Sequence, residues 1–397
     1  MTASTPRDWA AARRDVHGAG WKAQRPAVTV PLLDADGLTL AASLAPGTDL
    51  PAFPTSSIDG FALRGRGPWR VGGRVLAGGV PEPLTGDGAA VEIATGAMVP
   101  DGTEAILRVE HATRSGDLVD GTPKSEREWR LPGEEARAGE VLLPAGTPVT
   151  PGVIGLAASC GHDTLPVRPA PRAAVLVFGD ELLTEGLPGD GRVRDALGPS
   201  IPAYLRRLGA HCGPAAGPIK DTLAAHVEAL RAALDDGADL ICTTGGTMHG
   251  PVDHLHPALA ELGAQYVVNT VAVRPGFPML VAALRHGDRT RFVAGLPGNP
   301  QSAVVALVSL VMPLLAGLTG RPEPALPQAT LGEAVPGRGD YTHLALVRLD
   351  PVDGLARPVP HVGSAMLRGL AGAQGFAVIP PGTSGRPGDA VDLVAIP

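Results

Sequence analysis

Two short stretches of this chain carry the residue types that hold phosphate. Thr243-Thr244-Gly245-Gly246-Thr247 closes the apolar run DLICTT. Gly295-Leu296-Pro297-Gly298-Asn299-Pro300 closes the run RFVA and leads through Ser302 into a further apolar segment. Glycine lets a backbone come close to an anion, hydroxyls add donors, and the first turn of a helix offers unpaired N–H groups and a positive dipole end. Alone, either loop reads first as a plain strand-to-helix turn. Together, at the carboxyl ends of strands in one open sheet, they read as a phosphate site, because that edge is where such sheets bind ligands. Acids stand nearby in sequence: Asp180 and Glu181 follow AVLVFG, Asp221 follows GPAAGPIK, and Asp253 lies just beyond the first loop. Carboxylates repel phosphate unless Mg²⁺ joins them, and Mg²⁺ is held by one or two carboxylates plus phosphate oxygens. Each acid also has an ordinary role as a cap or solvated loop residue, Asp221 above all.

Other chemistries lack their residues. No G-K-[ST] follows either loop, and no G-x-G-x-x-G follows the first strand of the α/β region, so nucleotide-triphosphate and dinucleotide sites are not indicated. No G-x-S-x-G presents a serine, and His249, His254 and His256 have no zinc-ligand spacing. The net charge of -7 and the absence of a Lys/Arg run exclude a duplex-binding surface, so no nucleic-acid partner is expected. Cys160, Cys212 and Cys242 are far apart, which fits a reducing compartment. The opening MTASTPRDWAAARRD is no signal peptide. Ala303 to Leu318 is strongly apolar but carries Ser309 and Pro313, and reads as a buried core helix. A cytoplasmic chain with no membrane partner is expected.

The elements that must position these residues fall into an ordered series. The hydrophobic fraction is 44% and the aromatic fraction 3%, so the cores are built from Ala, Val and Leu. Residues 46–135 alternate short apolar runs with Gly-rich turns and predict a β-rich domain. Residues 1–45 precede it and 136–171 follow it, and in the latter Thr150 caps a helix opening with Pro151. Residues 172–323 alternate strand and helix, the pattern of a doubly wound, parallel α/β domain. There GPSIPAYLRRLG is helical, and Asp221 or Thr222 caps TLAAHVEALRAALDD. Residues 324–397 turn β-rich again. The fold class is therefore multidomain α/β plus β.

At this point several segments match one family in order. Pro51 to Arg64 (PAFPTSSIDGFALR) resembles P-x-F-D-N-S-A-M-D-G-Y-A of the molybdopterin molybdenumtransferase family, the MoeA and gephyrin E-domain proteins. Glu92 to Ile106 (EIATGAMVPDGTEAI) is similar to its I-x-T-G-A-x-x-P-x-G-x-D-A-V, and Gly139 to Gly161 to its G-x-x-L-x-x-A-G-x-x-L-x-P-x-x-I-G-x-L-A-x-x-G. Gly179-Asp180-Glu181-Leu182 resembles T-G-D-E-L. GLPGNPQSA, from Gly295 to Ala303, differs from G-L-P-G-N-P-V-S-A only at Gln301. VGSAML, from Val362 to Leu367, resembles G-S-x-x-L. The resemblance spans nearly the whole chain.

The resemblance implies a linker domain made of 1–45 and 136–171 and interrupted by the β-rich domain, a pterin-binding α/β domain, and a C-terminal β-barrel-like domain. It also implies an enzyme that binds adenylylated molybdopterin, inserts molybdate and, with Mg²⁺, hydrolyses the pyrophosphate linkage to release AMP. Asp59, Glu181, Asp221 and Asp253 are implied as catalytic, with Glu181 and Asp253 as metal ligands. Thr95, Gly96, Thr244, Gly245, Gly246, Thr247, Arg274, Pro297, Gly298, Asn299, Ser302 and Ser364 are implied as substrate-binding. A homodimer is implied, with Asp59 and Thr95 of one subunit facing the acids of the other. Contact with the molybdopterin-producing or adenylylating enzymes would follow. The chain departs from the family pattern in several places. Phe277 stands where K-P-G-K-P has its second Lys, Arg194-Asp195-Ala196-Leu197 replaces Y-D-S-N, and Thr247-Met248-His249-Gly250 replaces V-S-V-G. Two alternative functions are a pterin-binding scaffold or regulator, which the Lys-to-Phe change favours, and a molybdopterin adenylyltransferase, whose T-T-G-G-T the first loop resembles.

Overall fold

The apolar runs that end in the two glycine loops are neighbouring parallel strands. Leu240–Thr244 pairs with Arg172–Phe178 on one side and Arg289–Leu296 on the other, so that Thr244 stands opposite Val177 and Leu296. Successive side chains enter opposite cores. Val175, Val177, Leu240 and Cys242 point to one face, and Leu176, Phe178 and Ile241 to the other. A strand buried on both sides cannot alternate polar and apolar residues, which is why these runs are continuously apolar. His211–Cys212 and Ala216–Ile219 add parallel strands beyond Arg172–Phe178. The far edge departs from the expected parallel arrangement. Leu280–His286 returns antiparallel to Arg289–Leu296 through the loop Gly287-Asp288, and Gln265–Asn269 pairs antiparallel to it in turn. Gly287, at φ +63°, supplies the glycine-first two-residue loop that suits a right-twisted hairpin.

The computed structural model that shows this describes residues 5–124, 127–247 and 253–397. Its larger unit takes in the chain up to Val28, Gly37–Ala41 and Val167–Pro397, and its smaller unit Thr29–Asp36 and Ala42–Pro166.

In the larger unit helices cover both sheet faces. Thr222, not Asp221, caps Leu223–Asp235, its hydroxyl accepting the Ala225 N–H at 3.3 Å. Asp195 opens Leu197–Arg207 by accepting the N–H groups of Leu197 and Gly198. The apolar stretch after the second loop is a core helix, Pro300–Leu318, with 94% of its span buried inside the protein. It widens to a π-turn over Leu307–Val311, just before Pro313. Proline has no N–H for the preceding turn and its ring clashes with the carbonyl four residues back, so a local widening relieves both problems. Trp9–Lys22 crosses the last segment of this helix, Met312–Leu318, at Gly20 and Gly317. A Cβ on Gly20 would press into the Leu314 carbonyl oxygen, and one on Gly317 into that of His17.

The C-terminal part of the same unit is a six-stranded sheet. Its order runs Val273–Arg274, Thr342–Leu349, Gly375–Ile379, Ala390–Ala395, Gln328–Thr330, with Ala356–Pro358 paired to Thr342–Leu349. Leu344, Leu346, Phe376 and Val378 join the core around Pro300–Leu318, and Ala345, Val347, Ala377 and Ile379 form a second core.

The smaller unit holds another six-stranded sheet, mostly antiparallel, centred on Gly60–Arg64 and Ala89–Ile93. Phe61 and Leu63 enter one apolar cluster and Ala62 the other. Thr150 caps Pro151–Ser159 in this unit as expected, accepting the Val153 N–H.

Candidate functional site

Because Ala216–Ile219, Arg172–Phe178, Leu240–Thr244 and Arg289–Leu296 lie side by side and parallel, their carboxyl ends form one edge. Along it come Asp221, then Asp180 and Glu181, then Gly245-Gly246, then Pro297-Gly298-Asn299. Asp221 is tied to its neighbour: its Oδ2 accepts the Asp180 N–H at 3.3 Å. The two glycine loops touch, since a Cβ on Gly298 would lie 3.7 Å from the Gly245 Cα. Gly245 (φ +83°) and Gly246 (φ +65°) both sit in the left-handed region that favours glycine. Thr244 and Thr247 are buried, so the loop offers the edge mainly the backbone of these two glycines. Asp253 stands two residues before Leu255, whose backbone nitrogen packs against Gly246. Met248, His249 and Gly250 of the altered family motif lie outside the described residues. His226 closes the floor beneath this edge. It stacks on Phe178 at 3.7 Å, burial lowers its pKa, and its Nδ1 lies 2.9 Å from the Thr222 carbonyl oxygen.

The second loop opens onto a cavity of about 810 Å³ lined by the Arg274–Pro278 turn, Pro297, Asn299, Ser302, the 334–338 segment, Tyr341, His343 and Gly363-Ser364. Among the described residues its lining contains Arg274, Arg338 and His343 but no Asp or Glu. His343 is buried, which pushes its pKa down. Its Nδ1 lies 2.7 Å from the Pro336 carbonyl oxygen, which can only accept, so that nitrogen carries the proton. Gly276, at φ +102°, lets the Arg274 turn press against Pro300–Leu318, where a Cβ would lie 3.2 Å from the Ser302 carbonyl oxygen. Gln301 is 4% exposed and closes the far wall. Its N–H donates to the Ser364 carbonyl oxygen at 3.0 Å, and its Oε1 accepts the Gly363 N–H at 3.3 Å. The site residues Arg274, Pro297, Asn299, Ser302 and Ser364, separate in sequence, thus share one cavity.

Asp59, Thr95 and Gly96 belong to the smaller unit. There Asp59 and Thr95 come together, Asp59 Oδ1 accepting the Thr95 N–H at 2.7 Å. The Gly96 N–H donates to the Ser56 carbonyl oxygen at 2.8 Å, and Gly60 abuts the Leu107 carbonyl. Arg108 supports this turn from below. It makes a bidentate pair with Glu128 at 2.7 and 2.9 Å, and the Ser57 N–H donates to the Glu128 carbonyl oxygen.

Sequence reasoning missed Tyr341, Arg338, His343 and Gln301 as cavity residues. Gln301 left a signal, a polar residue where the family pattern has Val. His343 lies in the strand Thr342–Leu349, and Arg338 and Tyr341 just before it, where the sequence shows only the approach of a strand.

Comparison with known proteins agrees with this layout. Residues 8–161 match the MoeA N-terminal region (domain I and II), 174–317 a probable molybdopterin binding domain, and 328–396 the MoeA C-terminal region (domain IV). A molybdopterin molybdenumtransferase of Bacillus subtilis is 31% identical over 368 residues, covering 87% of this chain and 84% of its own length. One of Staphylococcus aureus is 30% identical over 387 residues, covering 93% and 91%. A solved structure of the molybdopterin biosynthesis MoeA protein of Pyrococcus horikoshii superposes with a TM-score of 0.80 over 98% of this chain and 100% of that one, at 21% identity. A second structure from the same source gives 0.79 over 99% and 100%, at 24%. These two likenesses are of fold.

Proposed function

The chain belongs to the molybdopterin molybdenumtransferase family, and on that premise we propose that it binds adenylylated molybdopterin, inserts molybdate into the dithiolene, and hydrolyses the pyrophosphate linkage to release AMP. The observation that carries this reading is the cavity that gathers Arg274, Arg338, Asn299, Ser302 and Ser364 with no carboxylate among the described lining residues, on a sheet whose strand ends bear Glu181 and Asp221. An anion is drawn to the first group and a cation to the second, the two charges that a phosphorylated pterin, an oxyanion and Mg²⁺ bring.

Within this reading the backbone of Gly245-Gly246 and the Pro297-Gly298-Asn299 turn seat the phosphates, with Thr244, Thr247 and Ser302 beneath them. Arg274 and Ser364 face the oxyanion. Asp221, oriented by the Asp180 N–H, places the attacking water. Among the described residues no three Asp, Glu, His or Cys side chains gather as a metal cage. Mg²⁺ needs none, because it keeps several waters and takes one or two carboxylates together with phosphate oxygens. The all-oxygen donors at this edge fit that habit, with Glu181 and Asp253 as its holders. When bound, the ion would polarise the phosphoryl oxygens of the linkage to be cut. The chain acts as a homodimer in which Asp59, Thr95 and Gly96 of one subunit complete the site of the other. The enzymes that make and adenylylate molybdopterin are its expected neighbours.

The test is incubation of the purified chain with adenylylated molybdopterin, Mg²⁺ and molybdate, following AMP. Molybdate-dependent release supports the reading. Phe277, in place of the family's Lys, favours a second one, a scaffold that binds the pterin without turning it over. Pterin binding with no AMP release would establish that instead.

A further inference from the structure

Arg274 meets rings where an arginine usually meets a carboxylate. Its guanidinium carbon lies 4.6 Å from the centroid of the Tyr341 ring and 5.3 Å from that of Phe277. The two rings stand at 80° to each other, 5.8 Å apart. The guanidinium therefore rests in the corner of two nearly perpendicular rings. Its backbone is fixed as well, since Arg274 pairs in register with His343, two residues beyond Tyr341. Among the described residues no Asp or Glu lines the cavity it faces. A ring face attracts a cation without neutralising it, so stacking can hold a guanidinium still while leaving its N–H fork to an incoming anion. A carboxylate partner would hold it equally still but would occupy the fork.

We propose that Phe277 and Tyr341 are positioning residues that fix Arg274 as the oxyanion-recognising group of this cavity. Phe277 then contributes an edge of the aromatic corner at the position where the family pattern carries a second cation, and one oriented arginine stands in for two lysines. Recognition shifts accordingly from point charge to the planar fork that matches two oxygens of a tetrahedral oxyanion. The proposal rests on the reading of this cavity as the oxyanion pocket and adds to it the residues that set its geometry.

The experiment measures binding of molybdate alone to the full chain by calorimetry, and then KM for molybdate and kcat. Phe277→Leu and Tyr341→Leu are each expected to weaken binding by about two- to fivefold, the factor an exposed cation–π contact corresponds to. KM should rise and kcat stay unchanged. Tyr341→Phe keeps the ring and should keep the affinity, whereas Arg274→Lys keeps the charge, loses the fork, and should bind more weakly than wild type. In the unmodified chain the Arg274 δ-protons should show an upfield ring-current shift by NMR, a readout that needs no variant to fold. Leucine variants that bind like wild type while Arg274→Ala loses molybdate, or unshifted Arg274 protons, would overturn the proposal. If Arg274→Ala itself binds normally, the cavity reading falls too. Ring-dependent molybdate binding without AMP release would sink only the transferase reading.

Discussion

Asp221, oriented by the Asp180 amide, is assigned to the attacking water, and Glu181 and Asp253 are the carboxylates assigned to the metal and the reacting phosphates. That division separates binding from chemistry. Glu181→Gln and Asp253→Asn should each lower turnover by roughly a hundredfold, the lower range for losing a group that acts on a transferring proton or developing charge. Pterin binding, read by fluorescence of the bound pterin, should be unchanged, because a contact realised only in the transition state does not contribute to the ground state. Wild-type AMP release by Asp253→Asn would remove its assigned role. At this scale the sequence was informative where chemistry follows from residue type. Gly245, Gly246 and Gly298 announce turns with exposed backbone, and Asp180, Glu181 and Asp221 announce carboxylates at the ends of neighbouring strands. It was silent where the role depends on a distant partner. Tyr341 matters through its contact with Arg274, which only the pairing of Val273–Arg274 with Thr342–Leu349 creates.

The elements hold the site through a few close approaches. Gly20 and Gly317 let Trp9–Lys22 and the end of the core helix touch backbone to backbone. Gly20→Ala should therefore destabilise the larger unit by about 1–3 kcal/mol, the usual cost of forcing atoms into a packed core, and should lower the melting temperature. Gly18→Ala has nothing within 4 Å and is the control. In the smaller unit the Arg108 guanidinium holds the Glu128 carboxyl below its ordinary value near 4.5. The stability this pair contributes is fully present above that ordinary value and is lost as pH falls through the lower folded-state pKa. Melting curves of wild type and Arg108→Ala should therefore differ above about pH 5 and converge in acid; a gap that widens in acid would contradict the assignment. The parallel strands and the Pro300–Leu318 helix could be read from continuous apolar runs and their flanking turns. The antiparallel edge could not, because neither Gln265–Asn269 nor Leu280–His286 carries an alternation that fixes direction. The π-turn also escaped, since Pro313 predicts a disturbance but not its form. The Asp221-or-Thr222 ambiguity was resolved by geometry alone, in favour of the threonine hydroxyl.

For the whole molecule, the order of β-rich, α/β and β-rich regions was legible because each has its own periodicity, and the ordered motifs carry the family's pattern along nearly the whole chain. Assembly was not legible in that way; the proposed homodimer is motivated by Asp59 and Thr95 lying in a different unit from the acids of the sheet edge. Asp59→Asn keeps an oxygen for the Thr95 N–H while removing the charge, and Glu181→Gln removes a charge from the other unit. Mixed in equal amounts, these two inactive variants should recover part of the activity, since some dimers then carry one intact composite site. A fully active monomer in sedimentation would rule the composite site out. The central claim is the reaction itself. It is tested most directly by incubating the chain with adenylylated molybdopterin and Mg²⁺, adding molybdate, and measuring AMP against time. The account predicts AMP release that starts on molybdate addition and stops when Mg²⁺ is chelated; adenylylated pterin that stays bound and intact with every component present would contradict it.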